Sequence, residues 1–295
     1  MIEHMKWHNK DQIVLKKWAY YESSFEKAHT FLTLKNDCIM LYSKGVIVRA
    51  NQPIYLYKVV HLSDFETSVF DVQLPFLVDV VEHFSNGHYL FAKQRSFYGE
   101  ATSAVIVSAT GEMIHKLHLG DAVQQIQIDS YDQIWVSYYT TTTYEQMGWT
   151  KETAMGNKGI VVYNSEGKVI WTAEQLSIIG CLAMNIGIDD YYFYAFNPQP
   201  YLHLFERNHY CTYECEEKNI TQLMPSREQS LIVMNDKQQL KRLLRDEYTY
   251  IAGQRIELID EAGHPITGHI VMRNDTLLCI NGDTLYKYDV NESLE

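Results

Sequence analysis

Short apolar segments recur along the whole chain, and polar turns separate them. The recurrent unit is a half-apolar segment, a turn containing Asp, Asn or Gly, and a strongly apolar or aromatic segment. Short alternating segments bounded by turn residues are typical of β-strands. One residue marks the turn of each unit: Asp37, Gly87, Asp132, Asp190, Gln229 and Asp275. These turns are 39 to 58 residues apart, which indicates a repeat of six small sheets.

A second pattern follows several of these turns and raises the number of strands per repeat to four. Residues 104–115, 160–171 and 256–266 each read as a strand, a Gly-containing turn and another strand. The sixth repeat ends one strand short at Asp289, whereas residues 12–18 form a strand that belongs to no repeat. We therefore predict an all-β, six-bladed β-propeller whose N-terminal strand completes the last blade, as a single domain over residues 1–295. An irregular two-domain β-protein is the alternative.

One repeat carries a recognisable blade motif. Residues 127–136 contain a strand, a turn with Asp129 and Asp132, and an Ile-Trp-Val strand. This segment resembles the blade motif of NHL and two-component-regulator propellers, and the resemblance is faint in the other five repeats. It implies a fold and no activity. The Trp-Asp and Gly-Gly signatures of WD40 and kelch blades are absent from the sequence.

Composition and charge narrow the classes of partner. The chain has 25 basic and 37 acidic residues, so its net charge of −12 disfavours a nucleic-acid surface. No apolar run approaches the roughly 18 residues of a membrane span, and the N-terminus has no apolar signal region. Five scattered cysteines fit reduced thiols better than a disulfide framework. We expect a cytoplasmic protein with a protein or small-molecule ligand, and neither nucleic acid nor membrane as partner.

Three long connections predict a binding face. Residues 94–101, 140–158 and 237–254 separate strands that would open on the same side of a propeller, and loops on one side often carry function. Aromatic rings mixed with Arg suit a recognition surface. The alternative is that these rings only pack their own loops. The leucine spacing within residues 238–245 also predicts a short covering helix. The predicted ligand- or partner-binding residues are Arg95, Tyr98, Tyr144, Trp149 and Tyr248.

A second candidate site is the mouth of a central channel. Polar residues at the start of the inner strands would surround it, namely His29, Asp79, Gln124, Asn185 and His269. Two imidazoles and a carboxylate could hold a divalent metal. The alternative is that any water-filled channel needs polar walls, and we predict no cofactor. A metal-dependent hydrolase of the lactonase type remains the second hypothesis.

The catalytic motifs that sequence can reveal are absent. There is no phosphate-binding Gly-Lys-Ser/Thr loop, dinucleotide fingerprint, nucleophile elbow or His-Glu-x-x-His helix. This absence favours a non-catalytic binding or interaction module that uses the long-loop face, without deciding whether the protein is an enzyme. No catalytic residue is assigned.

Overall fold

The computed structural model describes residues 11–139, 148–150, 153–197, 199–206 and 209–291. Nearly all of these residues lie in strands or turns, and the all-β class is thereby confirmed. The helical elements of the described ranges are two single 3₁₀ turns, Met155–Lys158 and Ala173–Leu176. Neither could reach across a bilayer, and no helix in these ranges could span a membrane.

The strands of the described residues, in chain order, are β1 (Asp11–Val14), β2 (Lys16–Tyr20), β3 (Glu26–Leu32), β4 (Cys38–Arg49), β5 (Gln52–Leu62), β6 (Thr67–Leu74), β7 (Val80–His83), β8 (Tyr89–Ala92), β9 (Ala104–Val107), β10 (Met113–Leu117), β11 (Val123–Ile128), β12 (Ile134–Tyr138), β13 (Ile160–Tyr163), β14 (Val169–Thr172), β15 (Gly180–Ile186), β16 (Asp190–Asn197), β17 (Gln199–Glu206), β18 (His209–Cys215), β19 (Ile220–Pro225), β20 (Leu231–Asn235), β21 (Leu240–Asp246), β22 (Thr249–Ile259), β23 (His269–Arg273), β24 (Thr276–Asn281) and β25 (Thr284–Asp289).

The chain divides into two compact units. The larger unit is Glu22–Tyr213, and the smaller unit combines Met1–Tyr21 with Glu214–Glu295. In the larger unit, β3–β6, β7–β10 and β11–β14 form three separate four-stranded sheets. In the smaller unit, β2 joins β23–β25 by pairing antiparallel to β25, so the N-terminal segment completes that sheet. The single-domain organisation stays a prediction.

The number of blades is where the sequence prediction was wrong. Four separate four-stranded sheets are present, but β15–β18 and β19–β22 belong to one continuous sheet that also includes β1. The link is a short parallel pairing in which Glu214 and Cys215 of β18 lie opposite Thr249 and Tyr250 of β22. The described residues therefore form four separate four-stranded sheets, each of the size of a propeller blade, and one large sheet, in place of six equal blades.

The length of β22 explains this large sheet. With eleven residues, β22 is longer than most strands of the fold, and one of its edges pairs with β21. Unpaired backbone groups along a strand favour pairing with any strand within reach. β22 also pairs with β18 at Thr249–Tyr250 and with β1 at Ile256–Ile259. Strand length and edge exposure are decided by tertiary pairing and do not show in a repeat pattern.

The predicted helix within residues 238–245 is also wrong. Residues 240–246 form β21, and the predicted connection 237–254 is a strand, a two-residue turn and the start of β22. Leu240 and Leu243 are both buried although they are three residues apart. The pairing of β21 with β22 is irregular between Lys241 and Leu243. β21 pairs with β20 without a break, with Leu240 opposite Met234 and Leu243 opposite Leu231, so the two leucines lie on opposite faces of the strand and both faces are buried there.

One turn type recurs at the ends of several strands. A side-chain oxygen accepts hydrogen bonds from the backbone N–H groups two and four residues later, as Asn164 does from Glu166 and Lys168. The fourth residue of the turn has positive φ, which favours Gly, as in Gly167 with φ 80°. The same side-chain pattern is built on Thr33, Ser108, Asp129, Asn164, Asn235 and Asp260.

Glutamine side chains tie the first strands of neighbouring sheets together. In the larger unit, Gln127 of β11 donates to the carbonyl of Met184 at 2.8 Å and accepts from the N–H of Ile186 at 2.7 Å. In the smaller unit, Gln222 of β19 makes the same pair of bonds to Ile270 and Met272 of β23. These amides satisfy edge backbone groups that have no strand partner on that side.

Candidate functional site

The structure distributes the five predicted binding residues over different environments. Arg95 is exposed, and the side chain of Tyr98 is 58% exposed. Tyr248 is 78% exposed at the turn between β21 and β22, in the smaller unit. Tyr144 lies outside the described residues. A contact surface made by these residues stays a prediction.

Trp149 is a packing residue in its own loops. Its side chain is only 7% exposed, and the indole N–H donates to the carbonyl of Ser96 at 2.9 Å. The indole ring stacks on His118 with a centroid separation of 5.4 Å and meets Tyr98 edge-on at 5.3 Å. Direct contact between Trp149 and a ligand would first require these loops to separate. The ring therefore supports the position of Tyr98.

The predicted channel residues also differ in environment. His29 and His269 are exposed, but they belong to different units. The Asp79 carboxylate accepts a hydrogen bond from the N–H of Gln94, and Gln124 donates to the carbonyl of Leu182. Asn185 is buried in β15. Three of the five side chains thus lie where they can stabilise sheet ends, and a ligand-binding role for the set stays a prediction.

The described residues contain no group of three or more His, Cys, Asp or Glu side chains that could hold a metal ion. The cysteines Cys38, Cys181, Cys211, Cys215 and Cys279 are all free thiols.

A buried acid that sequence reasoning missed lies beneath the predicted loop face. Asp121 is 0% exposed, and neither carboxylate oxygen has a hydrogen-bond partner in the described part of the chain. Burial raises the pKa of Asp121 to about 6. The preceding residue, Gly120, accepts a hydrogen bond from Ser96, whose own carbonyl binds Trp149. The sequence offers only an isolated Asp between two apolar segments, which carries no signal of burial.

The larger unit contains an aromatic cleft, which was also missed from sequence. It has a volume of about 690 Å³ and is lined by residues from β12, β13, β14, β16 and β17 and from the turns beside them. We call it the aromatic cleft, and its rings are those of Tyr131, Trp135, Trp171, Tyr191 and Phe205.

Trp135 is the central ring of the aromatic cleft. Its centroid lies 4.9 Å from that of Tyr191 and 5.7 Å from that of Trp171, with interplanar angles of 58° and 43°. The rings therefore form angled walls. Tyr131 is 75% exposed at the rim, where Ile170 and Ile188 are also exposed. An exposed apolar rim around aromatic walls is typical of a surface that a partner covers.

The blade motif holds Trp135 in this position. The Asp129 carboxylate accepts the indole N–H of Trp135 at 2.8 Å through one oxygen. Through its other oxygen it accepts the backbone N–H groups of Tyr131 and Gln133, each at 2.9 Å. One buried carboxylate thus fixes both the hairpin turn and the orientation of the ring. The motif 127–136 indicated a blade, and in the structure it also builds one wall of the cleft.

The aromatic cleft has an acidic character. Asp129 and Asp189 line it, and the lining includes no Lys, Arg or His side chain from the described residues. The pKa of Tyr191 is raised to about 12, mainly by burial and further by the negative charges of Asp129 and Asp189 nearby and by Tyr131. The electrostatic environment therefore disfavours an additional negative charge and favours a positive one.

A second cleft, of about 460 Å³, lies in the smaller unit. It is lined mainly by aliphatic side chains such as Leu240, Ile256 and Ile266 together with Arg255 and Glu257. No aromatic ring from the described residues lines this cleft. It therefore lacks the rigid, flat surfaces that make the aromatic cleft suited to recognition.

The chain matches no protein-family model and no curated protein. Solved structures do match along most of its length. YCF48 bound to D1 peptide is 7% identical, with a TM-score of 0.48, over 95% of this chain and 99% of that chain. The WD40 β-propeller domain of Doa1 is 8% identical, with a TM-score of 0.45, over 95% and 98%. A chain of the mitotic checkpoint complex is 8% identical, with a TM-score of 0.49, over 96% and 92%.

All three TM-scores lie below 0.5. The described sheets of this chain define an all-β protein built mainly from four-stranded antiparallel meanders, the kind of sheet that forms propeller blades. The resemblance of residues 127–136 to NHL and two-component-regulator blades stays a prediction.

Proposed function

We propose that this protein is a non-catalytic binding module for a polypeptide ligand and that the aromatic cleft is its principal binding surface. The observation that carries the proposal is the cleft itself, in which five rings and an exposed apolar rim surround one concavity. Tyr and Trp supply large contact areas with few rotatable bonds, so ordering them on binding costs little conformational entropy.

The edge of the third sheet offers a second element of recognition. β14 is the last strand of the sheet β11–β14, and in the described chain it pairs with β13 alone. Trp171 and Ile170 of β14 line the aromatic cleft. An extended peptide could therefore add to the β14 edge through its backbone while a side chain enters the cleft. This combination favours a polypeptide over a small molecule.

Peptide selection provides the direct test of the binding surface. Peptides from a random displayed library are selected on the wild-type protein, and their affinities are measured by calorimetry on purified variants. We expect the double variant Tyr131→Ala with Ile188→Ser to bind the selected peptides at least about tenfold more weakly, because about 1.4 kcal/mol of contact energy is lost. Both side chains are exposed, so the fold should be retained.

The matched control is Phe65→Ala, which removes a ring that is almost fully exposed and lies outside the aromatic cleft. We expect this variant to bind as the wild type does. Selected peptides that bind the double variant and the wild type equally would reject the aromatic cleft as the binding surface.

The exposed loop residues Arg95 and Tyr98 of the larger unit remain proposed binding residues apart from the aromatic cleft, with Trp149 as the internal support of Tyr98, and Tyr248 remains a proposed binding residue of the smaller unit. Trp149→Phe should lower the free energy of unfolding by about 1 kcal/mol, because the carbonyl of Ser96 loses its indole donor. Tyr98→Ala should change it by less than about 0.5 kcal/mol, since most of that ring is exposed. Urea denaturation measures both values. If Trp149→Phe and Tyr98→Ala both change the free energy of unfolding by a negligible amount, Trp149 does not have this supporting role.

A further inference from the structure

The charges around the aromatic cleft define the chemistry of its occupant. Asp189 is exposed beside the cleft, and the buried Asp129 carboxylate lies at the edge of the Trp135 ring, where it accepts the indole N–H. No cationic side chain from the described residues lines the cleft to neutralise them. The carboxylate of Asp129 already accepts three hydrogen bonds from its own turn and ring, so it contributes mainly through its charge.

The rings have the geometry that attracts a cation. The faces of Trp and Tyr carry negative electrostatic potential, and a cation within about 6 Å of a ring centroid is stabilised. Trp135, Trp171 and Tyr191 are mutually inclined, with neighbouring centroids 4.9 and 5.7 Å apart. Trp135 is only 9% exposed and stacks on Phe193, so a cationic group would reach mainly the half-buried rings of Trp171 and Tyr191, and the nearby carboxylates act in the same direction.

We propose that the aromatic cleft receives the guanidinium or ammonium group of an arginine or lysine side chain of the polypeptide ligand. This inference rests on the proposed function and adds the chemical class of the side chain that is recognised. The apolar stem of such a side chain would lie against the exposed Ile170 and Ile188 while its charged end reaches the rings.

Two neutral isosteres make the test specific for charge. The probes are Nα-acetyl-arginine amide against Nα-acetyl-citrulline amide, and Nα-acetyl-lysine amide against Nα-acetyl-norleucine amide. The protein is labelled with ¹⁵N in its tryptophan indoles, and the signals of Trp135 and Trp171 are followed by NMR during titration. We expect the cationic probes to move these signals with a dissociation constant about fivefold lower than that of their neutral partners, which corresponds to roughly 1 kcal/mol.

A charge variant tests the contribution of the carboxylate. Asp189→Asn should weaken the arginine probe about two- to threefold at low ionic strength and leave the citrulline probe unchanged, because only a charged ligand experiences the lost field. Glu112→Gln is the control, since Glu112 is an exposed acid that does not line the aromatic cleft. It should leave both affinities as they are in the wild type.

The outcomes separate this inference from the proposed function. Equal shifts with charged and neutral probes would overturn the preference for a cation and leave the binding module intact. The preference is also overturned if no probe moves the two indole signals while the selected peptides still depend on Tyr131 and Ile188. If no probe and no peptide depends on the aromatic cleft, both proposals fail.

Discussion

Replacing Gln127 with leucine is expected to lower the free energy of unfolding by about 3 kcal/mol. The Gln127 amide is buried and bonds both the carbonyl of Met184 and the N–H of Ile186. Leucine has a similar size but no polar atoms, so one backbone acceptor and one backbone donor would stay buried without partners. Each such group costs about 1 to 3 kcal/mol, and the added apolar surface offsets part of the sum.

Urea denaturation followed by tryptophan fluorescence would measure this change. Three of the five tryptophans, Trp135, Trp149 and Trp171, belong to the same unit as Gln127, so the signal reports that unit. Gln73→Leu is the matched control because Gln73 is an exposed residue of β6, and its effect should remain within about 0.5 kcal/mol. If Gln127→Leu lowers the free energy of unfolding no more than Gln73→Leu does, the bridging amide of Gln127 contributes nothing to stability.

Replacing Asp121 with asparagine is expected to stabilise the protein at pH 7 and to leave it unchanged near pH 4. The ordinary pKa of an Asp carboxyl is 3.8. Burial disfavours the charged form and raises the pKa of Asp121 to about 6 in the folded protein. The folded state therefore binds this proton more tightly than the unfolded state does. Wild-type stability falls as the pH rises from about 4 through about 6, by up to about 3 kcal/mol. Asparagine carries no charge to bury, so the variant avoids this loss.

The measurement is the difference in unfolding free energy between Asp121→Asn and wild type at a series of pH values from 4 to 7.5. Taking the difference removes the contributions of all other titrating groups that the substitution does not affect. Ser96→Ala is the control, because Ser96 bonds the neighbouring Gly120 but does not titrate, and its difference should be the same at every pH. If the difference in unfolding free energy between Asp121→Asn and wild type is also constant with pH, the conclusion that Asp121 is a buried carboxylate without a compensating partner is wrong.

The elements that the sequence predicted correctly depend on local chemistry. The turns at Asn164 and Asp260 combine an acceptor side chain with a Gly three residues later, at Gly167 and Gly263, and both are visible as a spacing. The residues of a hairpin turn are close in the chain, so their hydrogen bonds can be inferred from residue type. The all-β class followed from such turns and from the alternation between them.

The errors arose where the same residue spacing permits two structures. Leu240 and Leu243 are three residues apart, which fits a helix, but they are buried on opposite faces of β21, where they pair with Met234 and Leu231. The expected six equal blades failed because β22 pairs with β18 and β1 in addition to β21. Neither burial on both faces of a strand nor the set of partners of a long strand is determined by the residues of the strand alone.

The predicted binding residues of the loops also show which properties are local and which depend on tertiary packing. Arg95 and Tyr98 were identified from their loop, and both are exposed, whereas Trp149 of the neighbouring loop is buried against His118. Burial of an aromatic ring depends on what packs over it, and His118 lies 31 positions earlier in the chain. Residue type alone therefore could not separate the exposed rings from the supporting one.

The amino-acid sequence alone determined that this chain forms short strands joined by tight turns, because hydrogen bonding within a turn and side-chain alternation along a strand are local properties. Only the tertiary structure decided how the strands group into sheets, which carboxylate became buried at Asp121, and that Trp135, Trp171 and Tyr191 enclose one cleft. These features depend on contacts between distant segments, where the competing arrangements differ in packing and in solvent exposure and not in local preference.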